Sequence, residues 1–361
     1  MHAMQGTPST IKTAIIGARG YSGLELSRIL LKHPRAELVA CLASTDDWKL
    51  DSYLPESAAK KVRILPMSAL ETLTGKVDVV FLATPAEVSV ELAPKLLASG
   101  MNVIDLSGAF RIEESTFTQW YGFEHTAPAL ITQAQFGLCP WVGPKPPGKG
   151  PVLVSNPGCY ATSILMALMP ILKDGLIKPE TLVIDAKSGS SGAGRKASED
   201  LLFTEVDGEC LPYRVGKHQH TPEIIQCLEK STGIKIDPIF TTSLLATRRG
   251  IIAGIYARLS SKISSKSKSE AMNALAASFN NAYEAYPLVA HGPVDRKLPS
   301  LKRVVGSART QISYTVEGDK LYLFSAIDNL MKGAASQAVE NLNRLIDAPL
   351  SLGLEELEGL L

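Results

Sequence analysis

The stretch "TAIIGARGYSGLELSRILLKH", Thr13 to His33, decides the fold. An apolar, β-branched run ends at Gly17, further glycines stand at Gly20 and Gly23, and a helical repeat of apolar residues follows. In such a strand–loop–helix unit the glycines let the backbone approach a pyrophosphate, and the helix N-terminus supplies free N–H groups. The spacing is GxxGxxG instead of GxGxxG, so at this point a tight turn that binds nothing remains an alternative.

The sequence on either side of this loop predicts an α/β protein with two domains. Short β-branched runs alternate with helical patterns up to about Pro140, as in a parallel sheet with crossover helices. Further on, "QISYTVEGDKLYLFSAI" predicts a hairpin that turns at 317–319, and the closing pattern "NLMKGAASQAVENLNRLI" predicts a helix that returns to the first domain. The predicted units are an N-terminal Rossmann dinucleotide-binding domain at 1–158 and 327–361, and an α+β catalytic domain with a mixed sheet at 159–326.

Composition narrows the range of partners. The chain has 361 residues, and its 37 Lys and Arg balance 36 Asp and Glu, so no broad field attracts nucleic acid or an anionic membrane. We expect a small-molecule substrate and no binding to nucleic acid or to a membrane. The opening "MHAMQGTPST" lacks the apolar core of a signal peptide, which favours the cytoplasm. Five cysteines without a CxxC pair favour reduced thiols over disulfides or a structural zinc site, and we predict no metal.

The end of the second predicted strand bears on the choice of cofactor. "AELVACLAS" leads to Ser44 and Thr45, where an acidic residue usually binds the adenosine ribose 2′-hydroxyl of NAD. The hydroxyl side chains favour NADP. Asp46 and Asp47 follow directly, so NAD stays open on this ground alone.

Cys159 stands in "SNPGCYAT", after an Asn-Pro-Gly turn and before a long apolar helical pattern. At the first turn of a helix the unpaired N–H groups and the macrodipole favour the thiolate, which lowers the thiol pKa from about 8.5 by a unit or more. The position therefore favours a nucleophile. The alternative is a small apolar residue in a packed junction, which is our interpretation of the other four cysteines.

The segment "GKHQHTPEI", residues 216–224, offers a base for this thiol. In an extended segment the rings of His218 and His220 would point to opposite sides, so we expect one of them to face the thiol. We favour His218 as the acid/base, with His220 as its orienting or alternative partner. A zinc site built on Cys159 and both histidines is a weaker alternative, because the usual closely spaced ligand pairs are missing.

Seven motifs spread over almost the whole chain carry a family resemblance. They are "GARGYSG" (17–23), "VFLATPAEVS" (80–89), "DLSGAFR" (105–111), "NPGCYAT" (156–162), "SGSSGAGRKA" (188–197), "HQHTPE" (218–223) and "DNLMKGAASQAV" (328–339). With them the sequence resembles the N-acetyl-γ-glutamyl-phosphate reductases, NADPH-dependent enzymes of arginine biosynthesis. One departure is Gln219, where the family often has Arg.

The resemblance implies a fold like that of aspartate-semialdehyde dehydrogenase, with a second domain that also dimerises, and a homo-oligomer, either dimer or tetramer. It implies that the Cys159 thiolate attacks an acyl phosphate, that phosphate leaves, and that NADPH reduces the thioester to N-acetylglutamate 5-semialdehyde. His218 would transfer the proton.

The resemblance and the motifs together give a set of site residues. Arg111 is of the right type for bidentate phosphate binding, although a surface ion pair is an alternative reading of that arginine. The residues expected to bind cofactor are Gly17, Arg19, Gly20, Tyr21, Ser22, Gly23, Ser44, Thr45, Ser191, Gly192 and Asn329. Those expected to bind substrate are Ser107, Arg111, Asn156 and Arg195.

Three competing functions remain open at the level of sequence. The same chemistry could act on aspartyl phosphate or on a carrier-linked aminoadipyl phosphate, because recognition of the acyl tail depends on few contacts. A Cys-His acyl transferase or hydrolase would use the thiol without hydride transfer. A non-catalytic binding protein could share the Rossmann scaffold.

Overall fold

The computed structural model describes residues 10–43, 48–146, 148, 150–294 and 299–356. Within these residues the strands are β1 Ile11–Ile16, β2 Ala36–Ala43, β3 Arg63–Pro66, β4 Val79–Leu82, β5 Asn102–Asp105, β6 Gln135–Phe136, β7 Leu153–Ser155, β8 Ile177–Gly189, β9 Cys210–Pro212, β10 Ile239–Leu245, β11 Ile251–Leu259, β12 Val289–Pro293, β13 Thr310–Glu317 and β14 Lys320–Ile327. The α-helices are α1 Tyr21–Leu30, α2 Ala86–Ala98, α3 Glu114–Tyr121, α4 Pro128–Gln133, α5 Cys159–Lys173, α6 Phe203–Val206, α7 His220–Thr232, α8 Lys268–Tyr283, α9 Leu301–Val304 and α10 Ser336–Leu345. Short 3₁₀ helices cover Leu50–Ser52, Ser57–Lys61, Met67–Leu73, Ser190–Ala193 and Glu199–Leu201, and a π-helical turn covers Met331–Ala335.

The first sheet is parallel, with strand order β3-β2-β1-β4-β5-β7-β6. Two central strands are buried, β4 along its whole length and β1 from Thr13 to Ile16, which explains their apolar runs. The chain order reverses between β1 and β4, so the crevice at the carboxyl end of β1 is the place where such sheets bind ligands. The predicted Rossmann sheet is confirmed.

The second sheet is mixed, with strand order β12-β13-β14-β11-β8-β10-β9. Strands β8 and β10 are parallel, whereas β11 pairs antiparallel with both β8 and β14. The predicted hairpin is present, since β13 and β14 pair from Thr310 opposite Ile327 to Glu317 opposite Lys320. The predicted boundary at 158–159 falls between β7 and α5, and the one at 326–327 falls within the last two residues of β14.

The C-terminal segment returns to the first sheet as predicted. The π-helical turn and α10 both pack against α1, and the ring of His33, just beyond α1, contacts Asn343 Oδ1 through Nε2 at 2.9 Å. Helix α5, buried from Tyr160 to Leu172, packs against the second sheet on one side and the π-helical turn on another. Helix α5 therefore links the two halves, and its first residue is Cys159. Among the described residues no helix combines the length and apolarity that crossing a bilayer needs.

Candidate active site

The glycine loop after β1 has a backbone geometry that requires glycine at two positions. Gly17 has a φ of +87°, and a Cβ built on it would lie 2.4 Å from the carbonyl oxygen of Ala83. A Cβ on Gly23 would lie 2.5 Å from the carbonyl oxygen of Gly17. Close packing of strand, loop and helix therefore excludes larger side chains at both positions.

Helix α1 directs its first turn at this loop. It begins at Tyr21, and its N-cap residue, Gly20, has no side chain to occupy the free N–H groups. The N–H of Leu24 donates to the Gly20 carbonyl at 2.9 Å. The N–H groups of Tyr21, Ser22 and Gly23 are thus left without an intrahelical acceptor. This cradle fits the pyrophosphate of a dinucleotide.

Arg195 lies against the same loop, although its sequence prediction was a contact with substrate. Its Nη1 donates to the Arg19 carbonyl at 2.8 Å, and its guanidinium stands 5.9 Å and 5.5 Å from the ring centres of Tyr21 and Tyr53. These contacts place Arg195 with the nucleotide loop. The residues predicted after β2, Ser44 and Thr45, lie outside the described residues.

Three residues predicted to contact the cofactor come together at the second sheet. Asn329 Nδ2 donates to Ser191 Oγ at 3.0 Å, and a Cβ on Gly192 would lie 3.8 Å from the same nitrogen. Asn329 Oδ1 accepts from the N–H of Gly250 at 2.7 Å. The Asn329 side chain therefore connects the 190–198 loop to Gly250, the residue before β11, and both contacts fix its position.

An ion network that the sequence did not predict holds this region to α1. Arg249 bridges Glu25 on α1 and Asp328, whose carboxylate also accepts the N–H groups of Leu330 and Met331. Glu25 has a lowered pKa: burial opposes the shift, but the charges of Arg249 and Arg28 outweigh it. The three partners are far apart in sequence, and no local motif marks them.

Cys159 begins α5, as the sequence predicted, with Gly158 as its N-cap. The expected lowering of the thiol pKa is wrong for this structure. Burial of the sulfur raises the pKa of Cys159 to about 11, and the Arg111 charge and the N–H of Tyr160 only partly oppose it. Desolvation of the thiolate therefore outweighs the helix N-terminus, and the thiol needs a base.

This leads to a prediction about alkylation. In a Cys210→Ser background, which removes the exposed cysteine, the rate of Cys159 labelling by iodoacetamide should rise about tenfold per pH unit from neutrality upward. The sign follows because only the thiolate reacts and its fraction grows with pH below a pKa of about 11. Mass spectrometry of the labelled peptide measures the rate. A plateau beginning near pH 6 would contradict it.

The π-helical turn packs on Cys159 from the side of the C-terminal segment. A Cβ on Gly333 would lie 2.7 Å from Cys159 Cβ. The preceding residue, Lys332, is fully buried; its Nζ donates to both carboxylate oxygens of Glu340 at 2.9 and 2.8 Å, and to Tyr286 Oη at 2.8 Å. Burial raises the pKa of Glu340, while Lys332 opposes the shift.

Lys332→Met should destabilise the protein by about 3–5 kcal/mol, because it leaves the Glu340 carboxylate buried without its counter-charge. Urea unfolding measures the loss. The double variant Lys332→Met/Glu340→Leu removes both charges and should recover most of it. A cost below about 1 kcal/mol for the single variant would show that the pair is not needed.

The two histidines lie side by side, which corrects the expectation that they point apart. Their ring centres are 4.8 Å apart, because Gln219 between them has helical φ and ψ and the chain turns there. His218 Nδ1 accepts the N–H of His220 at 3.2 Å. A Cβ on Gly158 would lie 2.3 Å from His220 Nε2, so His220 is the ring that lies against the cysteine turn.

Both imidazoles are buried and neutral in this site. Burial lowers the pKa of His218 to about 4, with the Arg214 charge adding to the effect. Burial, His218 and Arg111 hold the pKa of His220 well below its usual range. His220 Nδ1 is buried and has no hydrogen-bond partner among the described residues. A neutral imidazole is the form that accepts a proton from a thiol.

Arg111 is buried, which excludes the surface ion pair considered from sequence. Its Nε and Nη2 donate to the carbonyls of Asn156 and Leu106, at 2.8 and 2.7 Å, so that edge is not available for a bidentate grip on phosphate. Its Nη1 lies 3.5 Å from His220 Nε2 and 3.8 Å from Glu223 Oε2. A bound phosphate would therefore contact the Arg111 guanidinium from the side of Nη1.

Glu223 is the site residue whose role the sequence did not predict. Its Oε1 accepts the N–H of Gly158 at 2.8 Å, and burial raises its pKa, with Arg111 opposing. Its Oε2 is buried without a hydrogen bond among the described residues. Its sequence signal is its place in the first turn of α7, three residues after His220. A cleft of about 590 Å³ reaches both Arg111 and Glu223.

Two residues predicted to bind substrate are instead engaged in the protein framework. Ser107 Oγ donates to the buried Asp105 carboxylate at 2.8 Å. Asn156 Oδ1 accepts from Asn341 Nδ2 at 3.0 Å, and Asn156 Nδ2 donates to the Ala334 carbonyl at 3.2 Å. Asn156 therefore ties the cysteine turn to the C-terminal segment. No cluster of three or more metal-ligating side chains occurs in the described part of the chain.

Comparison with known proteins agrees with this layout. Residues 12–144 match the family model "Semialdehyde dehydrogenase, NAD binding domain", and residues 159–329 match "Semialdehyde dehydrogenase, dimerisation domain". The second description indicates a homo-oligomer.

Similar curated proteins identify a more specific family than the two domain models do. The N-acetyl-gamma-glutamyl-phosphate reductase of Geobacillus stearothermophilus is 41% identical over 97% of this chain and 98% of its own length. The chain belongs to the N-acetyl-gamma-glutamyl-phosphate reductase family. The member from Acidithiobacillus ferrooxidans (strain ATCC 53993 / BNL-5-31) is 36% identical over 96% of this chain and 98% of its own.

Solved structures support the fold. Aspartate semialdehyde dehydrogenase II of Vibrio cholerae aligns with a TM-score of 0.66 at 16% identity, covering 94% of this chain and 99% of that one. The Candida albicans aspartate semialdehyde dehydrogenase solved with NADP aligns with a TM-score of 0.62 at 17% identity, with the same coverage. The fold predicted from the resemblance is thus confirmed.

Proposed function

We propose that the protein reduces N-acetyl-γ-glutamyl phosphate to N-acetyl-L-glutamate 5-semialdehyde in arginine biosynthesis, with NADPH as cofactor and release of phosphate. The observation that carries the residue assignment is the packing of His220, Arg111 and Glu223 around the turn that presents Cys159. Membership of the reductase family supports the substrate and the cofactor.

The first chemical step uses Cys159 as the nucleophile. His220 takes the thiol proton, the sulfur attacks the acyl carbon, and the carbon–oxygen bond to phosphate breaks to give a thioester. The N–H groups at the start of α5 and the Nη1 side of Arg111 stabilise negative charge on the reacting oxygens. When bound, NADPH supplies the hydride that reduces the thioester to the aldehyde.

We assign proton transfer to His220 in place of His218. His220 lies against Gly158 and Arg111, whereas His218 accepts the backbone N–H of His220 and is surrounded by the rings of Tyr160, Tyr213 and Phe240. A phosphate beside Arg111 would raise the pKa of His220, because a nearby negative charge favours the imidazolium. His220 then gives its proton to the departing phosphate, and a proton from water restores the thiol after the aldehyde leaves.

Residues from both halves of the chain hold the nucleotide. The N–H groups at the start of α1 bind the pyrophosphate, and Ser191, Gly192 and Asn329 line the nicotinamide end. We infer a dimer or a tetramer, because residues 159–329 match a dimerisation domain. We also infer a cytoplasmic location, where cysteines are kept reduced.

The assay follows NADPH formation with phosphate and each candidate semialdehyde in turn. We expect turnover of N-acetylglutamate 5-semialdehyde to exceed that of aspartate semialdehyde by orders of magnitude in kcat/KM. Equal or better turnover of aspartate semialdehyde would reject the substrate. Rapid labelling of Cys159 without any binding of a nicotinamide nucleotide would favour an acyl transferase.

A further inference from the structure

Arg195 crosses from the second half of the chain to the nucleotide loop. Its loop is anchored at the base, where the N–H groups of Ser190 and Ser191 donate to the carbonyls of Thr247 and Arg248 at 2.9 and 3.1 Å. At Gly194 the chain turns with a φ of +82°. The loop is therefore held at its base by these backbone hydrogen bonds, and the Arg195 side chain is held by the Arg19 carbonyl.

The surroundings of the Arg195 guanidinium match a binding site for a phosphate on an adenosine. The Arg19 carbonyl requires only one of its five N–H donors. The guanidinium also lies near two aromatic rings, those of Tyr21 and Tyr53, whose residues are 39% and 46% exposed.

The place of Arg195 relative to α1 and β2 indicates which phosphate of a dinucleotide it would bind. Tyr21 opens α1, whose N–H groups face the pyrophosphate, and Tyr53 follows β2, at whose carboxyl end Rossmann proteins bind the adenosine ribose. A guanidinium in contact with both tyrosines lies within side-chain reach of the 2′-position of a ribose bound there. An arginine there accommodates a 2′-phosphate, which NADP has and NAD lacks.

We propose that Arg195 binds the 2′-phosphate of NADP and so determines the preference for NADP over NAD. The inference rests on the proposed function for the identity of the cofactor. Arg195 then binds the adenosine end of the dinucleotide instead of the acyl phosphate that the sequence suggested. The choice between NADP and NAD would therefore depend on contact between the two halves of the chain.

The test is calorimetric titration of the full-length protein with 2′,5′-ADP and with 5′-AMP, which differ by the 2′-phosphate. Arg195→Gln should weaken binding of 2′,5′-ADP about 10- to 100-fold and leave 5′-AMP unchanged. Lys196→Gln removes the same charge from the next residue of the loop and should change neither. Arg195→Lys, which keeps the charge without the planar fork, should fall between wild type and Arg195→Gln.

Steady-state kinetics gives a second readout. Arg195→Gln should lower kcat/KM for NADPH by the same factor, with kcat/KM for NADH and the KM of the acyl phosphate unchanged. Equal weakening of both nucleotides, no weakening, or a rise confined to the KM of the acyl phosphate would overturn the proposal. If the wild-type protein reduced no acyl phosphate with either cofactor, the proposed function would fail, and the titration would still report on Arg195.

Discussion

Cys159→Ala is expected to lower kcat for acyl phosphate reduction by about 10⁴-fold or more, because no other group can form the thioester. The dissociation constant of NADP⁺ should stay close to that of the wild type, since the nucleotide loop is built by β1 and α1. Stopped-flow or steady-state absorbance of NADPH measures the first quantity, and quenching of protein fluorescence measures the second.

Cys159→Ser serves as the matched control for the alanine variant. It keeps the size of the side chain beside Gly333 but offers a hydroxyl whose proton the site cannot remove, so it should be almost as inactive. Circular dichroism melting of both variants should resemble that of the wild type. Retention of more than about a tenth of the wild-type turnover by either variant would refute covalent catalysis at this position.

His220→Gln is expected to lower kcat by about 10²- to 10⁴-fold, the usual contribution of a general acid/base. Glutamine places a polar atom near the position of Nε2 and so maintains contact with Gly158 and Arg111, but it cannot accept a proton from the thiol. The KM for the acyl phosphate should change little. Initial rates over a range of substrate concentrations separate the two quantities.

The matched variant is His218→Asn. Asparagine can offer an oxygen where Nδ1 accepts the N–H of His220, so the start of α7 should be preserved. We expect a loss smaller than about tenfold. A larger loss for His218→Asn than for His220→Gln would return the acid/base role to His218, as the sequence alone suggested.

Local sequence patterns were sufficient for the architecture. The glycine loop, the parallel first sheet, the hairpin of β13 and β14 and the helical start at Cys159 all follow from periodicity and turn chemistry, which act over a few residues. The returning C-terminal helix was also predicted, but its π-helical first turn was not. Gly333 in that turn packs against Cys159, a residue far away in the sequence.

Polar side chains within the site were harder to assign. Arg111, Ser107 and Asn156 have residue types that suit a phosphate, yet Ser107 and Asn156 bind the protein framework and Arg111 offers one side only. Their free hydrogen-bonding capacity depends on carbonyls and carboxylates from distant segments. Residue type gives the number of donors, and only their neighbours show which of them are used.

The sequence by itself determined the alternation of strands and helices in the first half, the nucleotide loop and the position of one cysteine at a helix start, because each is set by residues adjacent in the chain. Tertiary structure alone decided that burial raises the pKa of that thiol, that His220 lies against the glycine that precedes it, and that Arg195 reaches the other half of the molecule. These properties depend on desolvation and on contacts between segments far apart in sequence, and no local pattern encodes either.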